Sequence, residues 1–394
     1  MKFGRNWGQL GMKCKLEDIC SFRKGKTDVA NLTPETYIST ENMLPNKNGV
    51  VISSSLPSVT LTQMYKKGDV LVSNIRPYFK KIWKAKFDGG CSNDVLVFIS
   101  KENIDDDFLY YVLSDDAFFL YCMATSKGTK MPRGDKKSIM QYEVPCYNTE
   151  TQQKIASVLK SMDKKIELNN AINNNLEEQL SALFVNMFGH SIDSLDNSDI
   201  KLGDLIESVD NRGKTPPLSD EPTDYPIIDV RALSGNSRII DYTNCTKYVS
   251  KETYNNWFRS GHPKEYDILI STVGSLAEMK IFLGTIGCIA QNVVGFRTKG
   301  ISPLYLYQYL NYIKNDLVAY NIGSVQPSIK VTHIIKHSIY VASKEDIEIF
   351  DSIARNITKK IFANCQENEA LKQMRDTLLP KLMSGELDVS NIKI

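Results

Sequence analysis

Histidines are the first residues to test for chemistry, and the 394-residue chain has four of them. His333 and His337 stand four residues apart, a spacing that suits a shared zinc ion when both lie on one helix. Their segment, residues 334–341, looks like a strand, and a strand would hold the two rings too far apart. We therefore expect no metal site in the chain.

Other catalytic patterns are also missing from the sequence. Asp105–Asp107 form an acidic run that could hold a cation, but acidic residues there also suit the first turn of the helix predicted to follow, which we favour. Neither G-x-x-x-x-G-K-[ST] nor G-x-G-x-x-G occurs. Thr215–Leu218 has the two prolines of an amino-methyltransferase signature without its amide or aromatic ring. With no nucleophile–base arrangement either, we predict a chain that is non-catalytic by itself and holds no cofactor.

Basic residues concentrate in two stretches of the first half. Residues 61–90 carry seven Lys or Arg against two Asp, with Tyr78, Phe79 and Trp83 interleaved, and residues 126–140 carry five against one. Such stretches suit phosphate contacts and loops that enter a DNA groove. Lysines that protect a solvated strand edge would give the same pattern. Charge alone does not separate the two interpretations.

The overall composition excludes several classes of protein. A net charge of +2 excludes a histone-like tail protein, although it permits a local basic face. No run approaches the roughly 20 apolar residues of a membrane span, and the N-terminus lacks the apolar stretch of a signal peptide. Eight scattered cysteines without a C-x-x-C pair favour free thiols in a reducing compartment. We expect a cytoplasmic protein with no membrane partner.

The elements that position these residues occur twice. Four patterns of the first half return in the same order in the second, at offsets between 186 and 198 residues, close to half of the chain. They begin at Lys15, Gly68, Phe108 and Lys164, and they return at Lys201, Tyr266, Tyr305 and Lys359. One chance match would be unremarkable, but four in order indicate a tandem duplication.

Each half predicts a mixed α/β (α+β) globule followed by a long helix. Short apolar runs predict strands at 69–73, 95–99, 139–144, 267–271, 293–296 and 334–341, and helical spacing predicts helices at 108–124 and 304–317. We place a first globular domain at 1–148 and its helix at 149–189. A second domain follows at 190–342, with its helix at 343–394.

The two long helices carry the clearest pattern. An apolar seam with alternating steps of four and three runs from Ile155 to Met187 and returns from Phe350 to Leu382, as in a coiled coil, broken by Arg375. Capping boxes are predicted at the two starts. Gly189 and Gly385 suit helix ends, and Pro380 should end or kink the second helix near Leu379. The residue pairs that predict the two capping boxes are Thr149 with Gln152 and Ser343 with Asp346.

Two asparagines lie in the centre of each seam, Asn169 and Asn173 in the first and Asn364 and Asn368 in the second. In an antiparallel pair the four amides meet, and a buried seam Asn is a device that fixes register. A wet helix surface would tolerate the same residues. We favour pairing, because the duplication keeps the asparagines in both helices.

Several segments together resemble the specificity (S) subunit of a type I restriction-modification system. They are Ser126–Pro132, Val144–Pro145, Glu150–Ala156, Gly323–Ile329 and Leu378–Leu387. The likeness covers nearly the whole chain as two target-recognition domains, each followed by a helical region. It departs from the family pattern at two places. Glu345–Glu348 lack a glutamine, and the first loop has Lys130-Met131 where the second has Val325-Gln326.

The resemblance implies a double-stranded DNA partner, with each globular domain recognising half of a split, asymmetric site. The helices would separate the half-sites and dock two methyltransferase subunits, which recruit motor/nuclease subunits. S-adenosylmethionine, ATP and Mg²⁺ would bind only to those partners. The basic stretches and the family's Gly-Ser/Thr loop give these candidate DNA contacts: Lys26, Arg76, Lys80, Lys127, Lys130, Arg133, Lys214, Arg231, Lys280, Ser324, Gln326 and Lys330.

Two alternatives stay open at this point. One is a tandem-domain DNA-binding regulator without enzyme partners, and the other is a scaffold that binds proteins and no DNA. Co-purification with a methyltransferase would distinguish the first, and salt-dependent DNA affinity would distinguish the second.

Overall fold

The computed structural model describes residues 13–128, 130–194, 199–284 and 286–389. The chain divides into two compact units, residues 1–165 with 370–394 and residues 166–369. The division falls inside the two long helices, so each helix contributes to both units. Within the described ranges, no helix is long and apolar enough to cross a membrane.

The first unit consists of short strands, short helices and parts of the long helices. Its strands are β1 (Lys13–Lys15), β2 (Cys20–Phe22), β3 (Lys26–Asp28), β4 (Tyr37–Ile38), β5 (Leu61–Tyr65), β6 (Val70–Ser73), β7 (Ile82–Lys84), β8 (Gly89–Cys91), β9 (Val95–Ser100) and β10 (Glu143–Pro145). Its short helices are α1 (Leu16–Ile19), α2 (Asp106–Ser114), α3 (Asp116–Ala124) and α4 (Lys136–Ile139).

The main sheet of the first unit has the antiparallel order β2-β9-β6-β7. A second sheet has the order β3-β5-β8-β4, with β4 and β8 parallel, and β1 pairs with β10. Both faces of the main sheet are covered: Val70 and Val72 belong to the core against the helices, and Leu71 belongs to the core on the other face. Burial on both faces explains why these strands have continuous apolar runs.

The second unit repeats the strand order of the main sheet and one parallel strand pair. The long helices aside, its elements are β11 (Ile206–Val209), β12 (Ile227–Ile228), α7 (Lys251–Asn256), β13 (Ile268–Ser271), β14 (Met279–Ile281), β15 (Cys288–Ile289), β16 (Val293–Thr298), α8 (Pro303–Tyr312), α9 (Lys314–Ala319) and α10 (Val331–Ile334). The sheet order β11-β16-β13-β14 matches β2-β9-β6-β7, and the parallel pair β12-β15 matches β4-β8. Ile268 and Leu269 again point to opposite cores. The duplication inferred from sequence is therefore present in the fold.

The first long helix, α5 (Thr149–Phe184), does not stop at Gly189. It continues through a π turn at Val185–Gly189 into α6 (His190–Asp193). The predicted stop was wrong because Gly189 has helical angles, and a Cβ on it would lie 3.4 Å from the Tyr312 hydroxyl. This glycine therefore permits close packing.

The second long helix, α11 (Lys344–Ser384), continues through Pro380 and ends before Gly385, which has a φ of +78°. The proline thus does not end the helix, whereas Gly385 provides the left-handed residue that a helix end requires. At the helix start, the Asp346 amide donates to the Ser343 hydroxyl over 3.1 Å, as the cap predicts.

The start of α5 is capped differently from the prediction. Asn148, and not Thr149, accepts a hydrogen bond from the Thr151 amide at 2.8 Å. The Gln152 side chain instead links the Tyr147 carbonyl to the Asp105 amide. The cap therefore lies one residue before the predicted one, and Gln152 makes no capping-box bond.

The two long helices run antiparallel within each unit. In the first unit Ile155 and Leu159 share a core with Leu379 and Leu382. The seam arginine, Arg375, is accommodated by an ion pair with Asp163 at 2.6 Å. A charged side chain can therefore occupy the seam because an acidic residue of the facing helix neutralises it.

In the second unit the four seam asparagines are buried and meet as an antiparallel pair requires. The Asn169 amide donates to Asn368 at 2.9 Å, and the Asn364 amide donates to Asn173 at 2.7 Å. Buried amides need such partners, because an unpaired one would lose its hydrogen bonds to water. Their function in fixing the register stays a prediction.

Three other expectations from sequence need correction. The helices predicted at 108–124 and 304–317 are each broken into two, α2–α3 and α8–α9. Residues 334–341 form no strand, because the chain turns after α10 with the Ile335 amide bonded to the Val331 carbonyl. In the first half the matching segment 139–144 likewise begins with the end of α4, and only its last residues join β10.

Candidate nucleic-acid interface

A short closed loop lies between residues 127 and 133 of the first unit. Lys127 and Arg133 exchange both backbone hydrogen bonds, at 2.9 and 3.0 Å. The Arg76 amide, in the segment that follows β6, donates to the Pro132 carbonyl at 2.9 Å. Thr129 lies outside the described residues. These bonds fix the ends of the loop and leave its tip exposed.

The second unit has the same loop at residues 322–328. The Ile322 amide donates to the Ser328 carbonyl at 2.9 Å, and the Gly274 amide, after β13, donates to the Pro327 carbonyl at 3.0 Å. A Cβ on Gly323 would lie 1.9 Å from the Gln326 carbonyl oxygen, so this tight turn requires glycine. The two loops thus share one closing backbone bond and the anchoring bond to the proline carbonyl. The second closing bond differs, because the Ser328 amide donates to the Asn321 side chain at 2.9 Å.

The loop tips differ in chemistry. The first carries Lys130 and Met131, and the second carries Val325 and Gln326 at the matching positions. Val325 is 98% exposed and Met131 is 48% exposed. A fixed backbone with variable exposed side chains is suited to reading a surface, because little conformational entropy is lost on binding.

The anchor of each loop has a left-handed backbone. Gly274 has a φ of +86°, and Arg76, its counterpart in the first unit, has a φ of +50°. A residue other than glycine in this region costs roughly 1–2 kcal/mol. An exposed arginine at such a position favours a use for its side chain.

The candidate cations of the first half fall into two groups. Lys26, Arg76 and Lys130 are exposed and, among the described residues, have no ion pair. The others pair with acidic neighbours: Lys80 with Asp116 at 2.6 Å, Lys127 with Asp135 at 2.6 Å and Arg133 with Asp94 at 3.0 Å. The Lys127 ammonium also holds the pKa of Asp135 well below its usual range.

The wider basic run of residues 61–90 partly serves the fold. Lys66 pairs with Asp88 at 2.8 Å, and Lys84 pairs with Asp107 at 2.5 Å. Trp83 is buried, whereas Tyr78 and Phe79 are exposed. Both interpretations of the charge therefore apply, to different residues of the same run.

In the second half, Lys214, Ser324, Gln326 and Lys330 are all exposed. Arg231 is exposed as well, with its guanidinium 2.9 Å from Asp229. These residues lie outside the main sheet, Arg231 in a short 3-10 helix and the others in loops, where a ligand can reach them.

Lys280 is the exception, and the structure argues against its selection as a phosphate contact. Its side chain is 1% exposed in β14, and the ammonium donates to the carbonyls of Gly235, at 2.6 Å, and Ser237. Burial lowers its pKa to about 8, against the opposing effect of Glu177. An ammonium held by two buried carbonyls is unavailable to DNA.

The residues considered for metal binding have other partners. Asp105 caps α2 through the amides of Asp107 and Phe108, as expected. The His337 ring bonds the Tyr320 hydroxyl at 2.9 Å. Among the described residues, no cluster of three or more His, Cys, Asp or Glu side chains is arranged to hold a metal ion.

Sequence reasoning did not select two exposed apolar residues, Met131 at the tip of the first loop and Val325 at the tip of the second. Tyr78 and Phe79, which follow Arg76 in the chain, were noted among the basic residues and are exposed. The signal was available for the loops, because Gly-[Ser/Thr]-x-x-Pro recurs at an offset of 195 residues. Attention to charge alone left out the two apolar tip residues.

A family model, the type I restriction modification DNA specificity domain, matches the chain twice, at residues 11–178 and 195–373. The MjaIX specificity subunit of Methanocaldococcus jannaschii is 24% identical, with 96% of this chain and 94% of the relative covered. The HindI specificity subunit of Haemophilus influenzae is also 24% identical, over 82% of this chain and 87% of the relative.

The fold is similar to that of a solved type I restriction-modification S subunit from M. genitalium. The two share 17% sequence identity and a TM-score of 0.54, over 97% of this chain and 98% of the other.

Proposed function

The chain belongs to the family of type I restriction-modification DNA specificity subunits, and on that premise we propose that each of its two domains reads one half of a split, asymmetric DNA site. It is the DNA-recognition subunit of such a system and is non-catalytic by itself. The observation that carries the proposal is the recurrence of a similar closed loop, with different tip residues, in two units whose main sheets have the same strand order.

We further propose that the exposed cations contact phosphates. Lys26, Arg76, Lys130, Lys214 and Lys330 are available at once, because none of them pairs with an acidic side chain of the described residues. Lys80, Lys127, Arg133 and Arg231 would exchange a carboxylate for a phosphate. Ser324 and Gln326, at the second loop tip, are suited to hydrogen bonds with base edges. Lys280 does not belong to this set, because it is buried.

The long helices would separate the half-sites and dock two methyltransferase subunits, through which motor/nuclease subunits join. S-adenosylmethionine, ATP and Mg²⁺ would bind to those partners and not to this chain. Such a complex would act in the cytoplasm, where it meets the DNA.

A domain exchange tests the proposal. Replacing residues 1–148 with those of a relative should change one half of the methylated sequence, and replacing residues 190–342 should change the other half. The readout is methylome sequencing of cells that carry the exchanged subunit with its methyltransferase. Alteration of both half-sites by either exchange would contradict modular reading.

Two further measurements separate the alternatives. A protein scaffold would show no salt-dependent DNA affinity, whereas this subunit should lose affinity as salt rises. A regulator without enzyme partners would not co-purify with a methyltransferase. Either negative result would count against the proposed function.

A further inference from the structure

The second unit contains a fully buried arginine that joins a loop of the recognition domain to a long helix. Arg238 is 0% exposed, and its Nε and Nη2 donate to the two carboxylate oxygens of Glu177 on α5, at 3.0 and 2.7 Å. Its backbone amide also donates to Glu177, at 2.9 Å. Three hydrogen bonds to one carboxylate define a direction as well as a distance.

The same guanidinium contacts two more helices. Its Nη1 donates to the Thr358 hydroxyl of α11 at 2.9 Å, and its carbon lies 5.3 Å from the centre of the Tyr307 ring of α8. One side chain thus links the loop to both long helices and to the recognition domain's own helix. An arginine suits this position because its planar guanidinium has several donors for these hydrogen bonds and can also lie over an aromatic ring.

The loop that carries Arg238 is itself fixed to the sheet. The Arg238 carbonyl accepts from the Ile281 amide at 2.8 Å, and the Lys280 ammonium binds the carbonyls of Gly235 and Ser237. Lys280 and Arg238 therefore both hold the loop in place. The loop cannot shift without breaking bonds on both.

We propose that Arg238 and Glu177 are positioning residues that set the orientation of the second recognition domain on the helix pair, and thereby the spacer length that the subunit accepts. Separating a buried charge from its partner strongly destabilises the protein. Orientations of the domain that would pull Arg238 away from Glu177 are therefore excluded. One added base pair rotates a half-site by about 35° around the DNA axis, so a fixed orientation matches a single spacer. This inference rests on the proposed function.

No contact with bases or phosphates is involved, which distinguishes this pair from the loop residues. An unclamped domain would keep its base preference and tolerate a longer or shorter spacer. Loss of spacer discrimination with unchanged half-sites is therefore the signature of positioning.

The test uses the complete subunit with its methyltransferase and a library of sites whose spacer differs by one or two base pairs from the native one. The variants are Glu177→Gln and the double variant Glu177→Leu with Arg238→Met. The double variant replaces the pair by apolar residues, which keeps the site satisfied without a directional link. Lys314→Gln is the matched control, because it breaks a half-exposed ion pair with Glu278 in the same unit.

We expect the wild type and Lys314→Gln to methylate one spacer length. The Glu177→Gln and double variants should raise methylation of sites one base pair longer or shorter at least tenfold relative to the native spacer, with both half-sites unchanged. If Glu177→Gln fails to fold, the double variant decides.

Retention of a single spacer in the folded variants, or loss of all their methylation, would overturn the inference. A changed base preference in the second half-site would also overturn it, because the pair would then act in reading. If the wild type itself recognises no split site, the proposed function fails and this inference fails with it.

Discussion

The two recognition domains fill one position of the same sheet with opposite chemistry. In the first unit Trp83 of β7 pairs with Leu71, and in the second Lys280 of β14 pairs with Leu269. Both side chains are buried. The indole packs against Tyr65 and Phe87, whereas the ammonium binds loop carbonyls. The duplicated framework therefore fixes where a side chain points and leaves open what it does there.

The loops teach the same lesson at the surface. One closing backbone bond and the anchoring bond to a proline carbonyl occur in both units, and the tips carry Lys130-Met131 in one and Val325-Gln326 in the other. A framework held by backbone bonds tolerates exchange of side chains, because those bonds do not depend on them. This arrangement allows two half-sites of different sequence to be read by one topology.

The largest effect should come from making the first loop a copy of the second. Lys130→Val with Met131→Gln should remove a phosphate contact and replace a base contact, which together are worth about 2–4 kcal/mol of binding free energy. Competition binding with altered half-sites would measure it. The second half-site should be unaffected, and a loss of specificity in both halves would break the comparison between independent loops.

The buried lysine should make stability depend on pH in a way that the tryptophan does not. Because the pKa of Lys280 is lowered to about 8 in the folded protein from a usual value of 10.5, the unfolded chain binds more protons between these values. Raising the pH through this window should therefore increase the free energy of unfolding, by up to about 3 kcal/mol. Below pH 8 the cost of the buried charge is present in full.

Urea unfolding of the wild type and Lys280→Met at several pH values would check this. Other titrating groups occur in both proteins, so the difference between them isolates Lys280. If the free energy of unfolding of the two proteins changed equally with pH, the pKa of Lys280 would not be lowered and the prediction would be wrong.

A smaller effect should separate paired from unpaired cations in the first loop. Lys130→Ala should weaken binding to all DNA sequences by about 1 kcal/mol and reduce the salt slope by about 0.9. Lys127→Ala should have less effect, because Lys127 must first release Asp135. Titrations at several salt concentrations would rank the two variants, and unchanged affinity in both would exclude this loop from the interface.

The smallest effect concerns the loop anchors. Arg76→Gly copies the second unit's Gly274 and relieves a left-handed arginine, so the free energy of unfolding should stay level or rise by up to about 1 kcal/mol. DNA affinity should nevertheless fall, because a phosphate contact is lost. Thermal unfolding and DNA titration of the same sample would test both. A variant that is less stable but binds equally well would show that Arg76 serves the fold.

The sequence alone determined the duplication, the strands at 69–73 and 267–271, and the antiparallel helix pair. The duplication was visible as repeated patterns at a nearly constant offset, the strands as short apolar runs, and the helices as a seam with steps of three and four residues. The pairing of Asn169 with Asn368 followed from the symmetry of two equal seams. The exposed loop cations could also be selected, because a repeated Gly-[Ser/Thr]-x-x-Pro pattern indicates its turn without knowledge of neighbours.

Only the tertiary structure decided the remainder, because it depends on which surfaces meet. Strand alternation places Lys280 on the other face of the sheet from Met279 and Ile281. That face would be exposed in a sheet with only one covered face. Here the core that contains Leu269 covers it, and the lysine is buried. Gly189 likewise is a residue type that often ends a helix, yet here it lies within the helix and packs against Tyr312. Burial and close approach are properties of pairs of distant segments, and no local pattern encodes them.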